Sequence, residues 1–149
     1  MKKVYQTRFS GTDSPVSAQG NCFQACIASI FEIPLEEAFD CVPYFRKDDV
    51  GKPVDESLEF IELNKWLLKY GFQTIYIQAF PLPRMTTLRG FHLLEVESTT
   101  LKKGDTHMVV THNGDIVHDP NANAKEIGKV VGFYLIVPIN PLAFPIVPS

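Results

Sequence analysis

Apolar residues recur at helical spacing over Phe23, Ile27 and Ile30, which predicts a helix over Cys22–Phe31 with that stripe facing inward. Ala25, Ala28 and Ser29 are small and let the helix backbone approach a sheet closely. Pro34 ends this helix and starts a short second one, Leu35–Asp40. A longer helix is expected from an Asp55 cap to about Tyr70, with Gly71 as its stop and apolar residues on more than one side. Beyond Gly71 the pattern changes to short runs rich in β-branched and aromatic residues. These predict strands over Phe72–Gln78, Phe91–Glu97, Thr106–Thr111, Ile116–Asp119 and Val130–Val137. Residues 1–8 read as a short edge strand, and 9–21 and 42–54 as loops. Pro81 and Pro83 mark a loop that would overhang a site, and a proline-rich tail runs over 138–149. Helices first, then strands joined by short turns, give an α+β fold with a mostly antiparallel sheet.

The candidate chemistry lies where the loop Ser17-Ala18-Gln19-Gly20-Asn21 gives way to the first helix. Cys22 falls in the first helical turn, where the positive end of the backbone dipole favours a thiolate. Asn21 is a suitable N-cap, and Gln24 completes a start like a capping box. Later, His107 opens one strand and Asp119 closes the next, so nucleophile, base and orienting acid occur in the order Cys, His, Asp. The backbone N–H of Cys22 and the side chain of Gln19 are the candidate donors to an oxyanion. Each residue also has a plainer assignment: a small buried hydrophobe for Cys22, a satisfied strand histidine for His107, a turn cap for Asp119, a solvated loop amide for Gln19. Cys26 and Cys41 read as packing residues, His112 as a turn residue, and His118 as a neighbour on the opposite face. His92, in a different strand, is a fallback base.

Whether His107 and Asp119 can meet depends on the turn between their strands, because side chains alternate faces. A two-residue Asn113-Gly114 turn pairs His107 with Pro120 and sends Asp119 to the other face. A three-residue turn, His112-Asn113-Gly114, pairs His107 with Asp119 directly; both suit the sequence. The triad requires the three-residue form or an equivalent bulge. In that register His107, Val109, Val117 and Asp119 share one face, Met108, Val110, Ile116 and His118 the other, and the hairpin lies within the sheet, covered on both sides.

Composition narrows the classes. The chain has 149 residues, 45% of them hydrophobic and 21% charged, which fits one globular domain over 1–149. A formal net charge of -3 with scattered Lys and Arg gives no nucleic-acid footprint and no basic membrane face. No apolar run is long enough to span a bilayer, and the N-terminus lacks the apolar core of a signal peptide. Three cysteines fit a reducing, cytoplasmic setting better than a disulfide framework.

The segment Gly20-Asn21-Cys22-Phe23-Gln24-Ala25-Cys26-Ile27-Ala28-Ser29-Ile30, followed by Ile33-Pro34-Leu35-Glu36-Glu37, resembles the nucleophile helix of papain-like cysteine hydrolases. It is most similar to compact bacterial and phage proteins with a Gly-[Asn/Asp]-Cys-x-x-Ala-Cys pattern. His107-Met108-Val109-Val110 and Val117-His118-Asp119-Pro120 resemble the His and Asp strands of the same superfamily, which includes the leader-peptidase domains of bacteriocin exporters. The resemblance implies a papain-like fold and peptidase, amidase or acyl-transfer chemistry through a thioester, with a peptide or protein substrate and no cofactor. Those exporter peptidases carry an oxyanion glutamine six residues before the cysteine, where this chain has Val16. Gln19 is the nearest substitute, and Gln6 reaches the site only through the fold. Two other classes compete: a catalytically silent module of the same fold that binds a protein, through a tail such as Leu142–Pro148, and a domain stabilised by zinc on Cys22, Cys26, Cys41 and a histidine.

Overall fold

The structure, a computed structural model, describes residues 1–11, 14–44, 58–78 and 89–140. The expected Asp55 cap, the loop at Pro81 and Pro83 and the tail from 141 onward lie outside the described residues. Helix α1 (Cys22–Phe31) and helix α2 (Leu58–Leu68) precede five strands: β1 (Phe72–Gln78), β2 (Phe91–Glu97), β3 (Thr106–His112), β4 (Asp115–His118) and β5 (Val130–Pro138). The strands form one sheet in the order β1-β5-β2-β3-β4, with every neighbouring pair antiparallel. The molecule is therefore α+β, with a helix packed on an antiparallel sheet. Among the described residues no helix is long and apolar enough to cross a membrane.

Helix α1 has the predicted bounds, and all its residues from Phe23 to Ser29 are buried. Burial on every side follows from its small residues, which admit close neighbours around the whole circumference. Phe23, Ile27 and Ala28 join Leu93, Met108 and Val110 of the sheet in the main core. The Cys26 thiol donates to the Met108 carbonyl at 3.4 Å, which holds the first turns of α1 beside the start of β3. Glu32 closes the helix in the left-handed conformation (φ 57°). A second cluster, Leu94, Val96, Val109 and Phe133, fills the other face of the sheet.

Three expectations change. Residues 1–8 form no strand: their backbone groups bond to α1 and to the end of β4, with Val4 N–H on Ser29 Oγ at 2.9 Å and Gln6 N–H on the Pro120 carbonyl at 3.1 Å. The helix expected over Leu35–Asp40 is a single 3-10 turn, Leu35–Glu37. Helix α2 buries Leu63 and Leu67 but leaves Ile61 and Leu68 about half exposed, so it packs on one side and not several.

The hairpin resolves the question of faces by a route other than the preferred turn. Asn113 (φ 52°) and Gly114 (φ 90°) form a two-residue turn, pairing His112 with Asp115 and Thr111 with Ile116. The register then slips, and Val110 pairs with His118, leaving Val117 unmatched in a bulge. Continued past the bulge, this register sets Asp119 across from Val109, on the face that carries His107. Val117 itself packs into the main core with Met108 and Val110, not with Val109 as expected. Strand β4 is an edge of the sheet, so the hairpin is not enclosed on both sides; Ile116 is exposed.

Both turn residues sit in the left-handed region, which penalises a side chain at Gly114. Gly114→Ala is expected to cost about 1–2 kcal/mol in a denaturant melt; an unchanged midpoint would mean that the turn does not hold this conformation.

Candidate active site

Residue by residue, the N-terminus of α1, the start of β3 and the end of β4 converge. His107 Nε2 lies 2.8 Å from Asp119 Oδ1, an ion pair when the ring is protonated. Asp119 Oδ1 also accepts the Asn121 N–H at 2.8 Å, which fixes the carboxylate as the chain leaves β4. Its Oδ2 is buried and has no hydrogen-bond partner among the described residues. With Nε2 engaged by Asp119, the other ring nitrogen is left for Cys22, which lies close enough to help raise the His107 pKa. Cys22, His107 and Asp119 thus come together in the order sulfur, ring, carboxylate.

The electrostatics favour a charged ring. Burial works against the imidazolium, but its hydrogen bond to Asp119 and the nearness of Cys22 outweigh it, raising the His107 pKa from 6.5 to about 9. Cys26 and Cys41 behave oppositely. Burial, reinforced by the nearby charge of Cys22, pushes both thiols well above the ordinary value, so they stay protonated packing residues. Cys22 is partly exposed; the other two are buried.

Asn21 is not the side-chain cap that the sequence suggested. Its carboxamide oxygen takes the N–H groups of Thr7 and Arg8 at 3.0 and 2.9 Å. Its Nδ2 donates to Gln24 Oε1 at 3.1 Å, and Gln24 Nε2 donates in turn to the carbonyl oxygens of Leu35 and Ala38. The carboxamide at the head of α1 therefore secures the strap of residues 6–8 and does not cover the first N–H groups of the helix. Those N–H groups point along the dipole toward Cys22, where negative charge is stabilised.

Cys22 and His107 line a cavity of about 430 Å³ with Phe23, Met108, Gln6 and Gln19. Gln19, buried at 8% exposure, is not a solvated loop amide: its Nε2 donates to the Ser14 carbonyl at 2.9 Å. Gln6, sixteen positions before the cysteine, reaches the same wall because its strap crosses the head of α1; its lone place in the sequence gave no signal of this. His92 does not line the cavity. Its Nε2–H donates to the Arg89 carbonyl and its Nδ1 accepts the Ile136 N–H, so burial holds it neutral as a structural residue. His118 donates to the Val4 carbonyl at 2.7 Å, and His112 packs on Phe91. Among the described residues no group of three His, Cys, Asp or Glu side chains is arranged to hold a metal.

Comparison with protein-family models, with curated proteins and with solved structures returned no match. The site is therefore judged on its own geometry.

Because the folded His107 pKa is raised, its ring contributes stability that is complete below about pH 6.5 and lost as pH rises through about 9. Asp119→Asn removes the leading favourable partner while burial remains, so the His107 titration followed by NMR is expected to fall by about a unit or more. A midpoint still near 9 in the variant would show that the carboxylate does not govern the ring.

Proposed function

We propose that the protein is a papain-like thiol hydrolase that cleaves an amide, peptide or isopeptide bond through Cys22, His107 and Asp119. The reading rests chiefly on one observation: a single histidine is held between a carboxylate and a partly exposed cysteine at a helix N-terminus, on the wall of a cavity.

The chemistry runs as follows. The Cys22 thiolate attacks the carbonyl carbon, forming a C–S bond, while the carbonyl π electrons move to oxygen. The head of α1, including the Cys22 N–H, faces the developing oxyanion, and Gln19 stands on the same cavity wall. Collapse of the tetrahedral species breaks the C–N bond, and the His107 imidazolium delivers its proton to the departing amine. The neutral ring then takes a proton from water, whose oxygen attacks the thioester and releases the acid and the thiolate. Asp119 keeps the ring oriented and stabilises its charged form throughout. A ring pKa near 9 suits the first half of this cycle, since the proton needed by the leaving group is already in place at neutral pH.

Alkylation by iodoacetamide tests the nucleophile before any substrate is known. Near neutral pH, Cys22 is expected to label at least roughly tenfold faster than Cys26 and Cys41, and His107→Ala to abolish most of that advantage. Slow labelling, equal at the three cysteines and indifferent to His107, would contradict the hydrolase and favour a silent binding module of the same fold.

A further inference from the structure

Aromatic rings form a continuous part of the cavity wall. Phe39 stacks on Tyr44 with ring centroids 5.5 Å apart and an interplanar angle of 5°. Phe39 also meets Phe23 edge-on at 6.4 Å, and Phe23 meets Tyr134 edge-on at 5.3 Å. All four line the cavity, so an unbroken run of rings from Tyr44 to Tyr134 passes through Phe23, the residue next to the nucleophile in the chain. Such a run attracts one more ring, edge-on or offset, by more than its apolar area alone provides. The cavity, at about 430 Å³, has the size of a small-molecule site and takes a bulky side chain without rearrangement.

Phe9 supplies a second, independent observation. It stands on the N-terminal strap, lines the same cavity and is 49% exposed. Leu101, between β2 and β3, lines the cavity and is exposed as well. Large apolar side chains left in water beside a cavity lose that exposure when an apolar group enters it. The polar side chains of the cavity are meanwhile engaged within the protein. Gln6 Nε2 donates to the Arg8 carbonyl at 3.0 Å, Gln19 Nε2 to the Ser14 carbonyl at 2.9 Å, and Glu95 accepts the Tyr76 hydroxyl at 2.8 Å. Glu59 and Asp105 are not without partners either. The walls thus offer a substrate chiefly aromatic surface.

Resting on the hydrolase reading, we propose that the cavity selects a substrate whose acyl group carries an aromatic side chain. That ring lies against the run of Phe39, Phe23 and Tyr134, with Phe9 covering its exposed side, and the carbonyl carbon reaches the Cys22 sulfur. An aliphatic side chain fills the same space without the attraction between rings. A charged one loses its hydration on entry, because the groups that could pair with it are already engaged.

Chloromethyl ketones of N-acetylated phenylalanine, leucine, alanine, lysine and glutamate test this. In each, the Cys22 thiolate displaces chloride and forms a C–S bond, and the adduct is followed by intact-mass spectrometry. The phenylalanyl probe is expected to react roughly tenfold or more faster than the alanyl probe. It is expected to exceed the leucyl probe by about threefold or more, with the lysyl and glutamyl probes slower than the leucyl. In Phe9→Ala, at a half-exposed position, the ratio of phenylalanyl to alanyl rates is expected to fall about threefold or more; Tyr44→Ala carries the same test should the first variant not fold. Equal phenylalanyl and leucyl rates, a lysyl or glutamyl probe as fast as the phenylalanyl, or a ratio unmoved in both variants overturns the proposal. If any of these occurs while wild-type Cys22 still labels selectively with iodoacetamide, which carries no side chain, the hydrolase reading survives; loss of that selectivity removes the reading beneath.

Discussion

One unmatched residue governs which side of the sheet Asp119 faces. The two-residue turn at Asn113-Gly114, carried unbroken along β3 and β4, would set His107 opposite Pro120 and turn the acid away from the ring. The bulge at Val117 shifts the pairing by one and restores the parity, so ring and carboxylate lie 2.8 Å apart. The bulge is stable because Val117 finds an apolar place beside Met108 and Val110, and because His118, one residue on, is fixed to the Val4 carbonyl. A packing contact in the core thus decides a polar contact at the site.

The cysteine is located by a different device. The N-terminal strap runs from Val4 to Ser10 between α1 and the end of β4, tied at Ser29, His118, Pro120 and Asn21. Asn21 is the centre of this arrangement, since one carboxamide links the strap to Gln24 and, through it, to the Leu35 turn. The ion pair of Arg8 with Asp40 at 2.6 Å closes the circuit. The strap also carries Gln6 onto the cavity wall, so the same bonds that register Cys22 against His107 shape the cavity in front of it.

Much of this was legible in the chain. The stripe Phe23, Ile27, Ile30 gave α1 its bounds, and the β-branched runs gave five strands within a residue or two of their ends. Local signals failed where distant partners outbid them. Asn21 has the chemistry of a cap, but its oxygen is taken by Thr7 and Arg8, fourteen and thirteen positions away. Residues 1–8 have strand-like composition, yet their hydrogen bonds go to side chains and loop ends and not to a ladder. The turn sequence allowed both loop lengths, and the choice between a longer turn and a bulge rests on how Val117 packs, which periodicity does not encode. The chain could name Gln6 only as a residue that the fold would have to deliver, because its position is set by bonds between backbone and side chains that no motif records.

The central proposal is that Asp119 holds the His107 ring charged and that Cys22 reacts beside it as a thiolate. The most direct measurement is the thiolate absorbance near 240 nm at neutral pH, taken as the difference between the wild-type protein and Cys22→Ser. The account predicts an excess of one thiolate in the wild type, lost in His107→Gln, while Cys26 and Cys41 contribute nothing because burial keeps them protonated. An absence of any difference at neutral pH, or an excess that survives without His107, would contradict it.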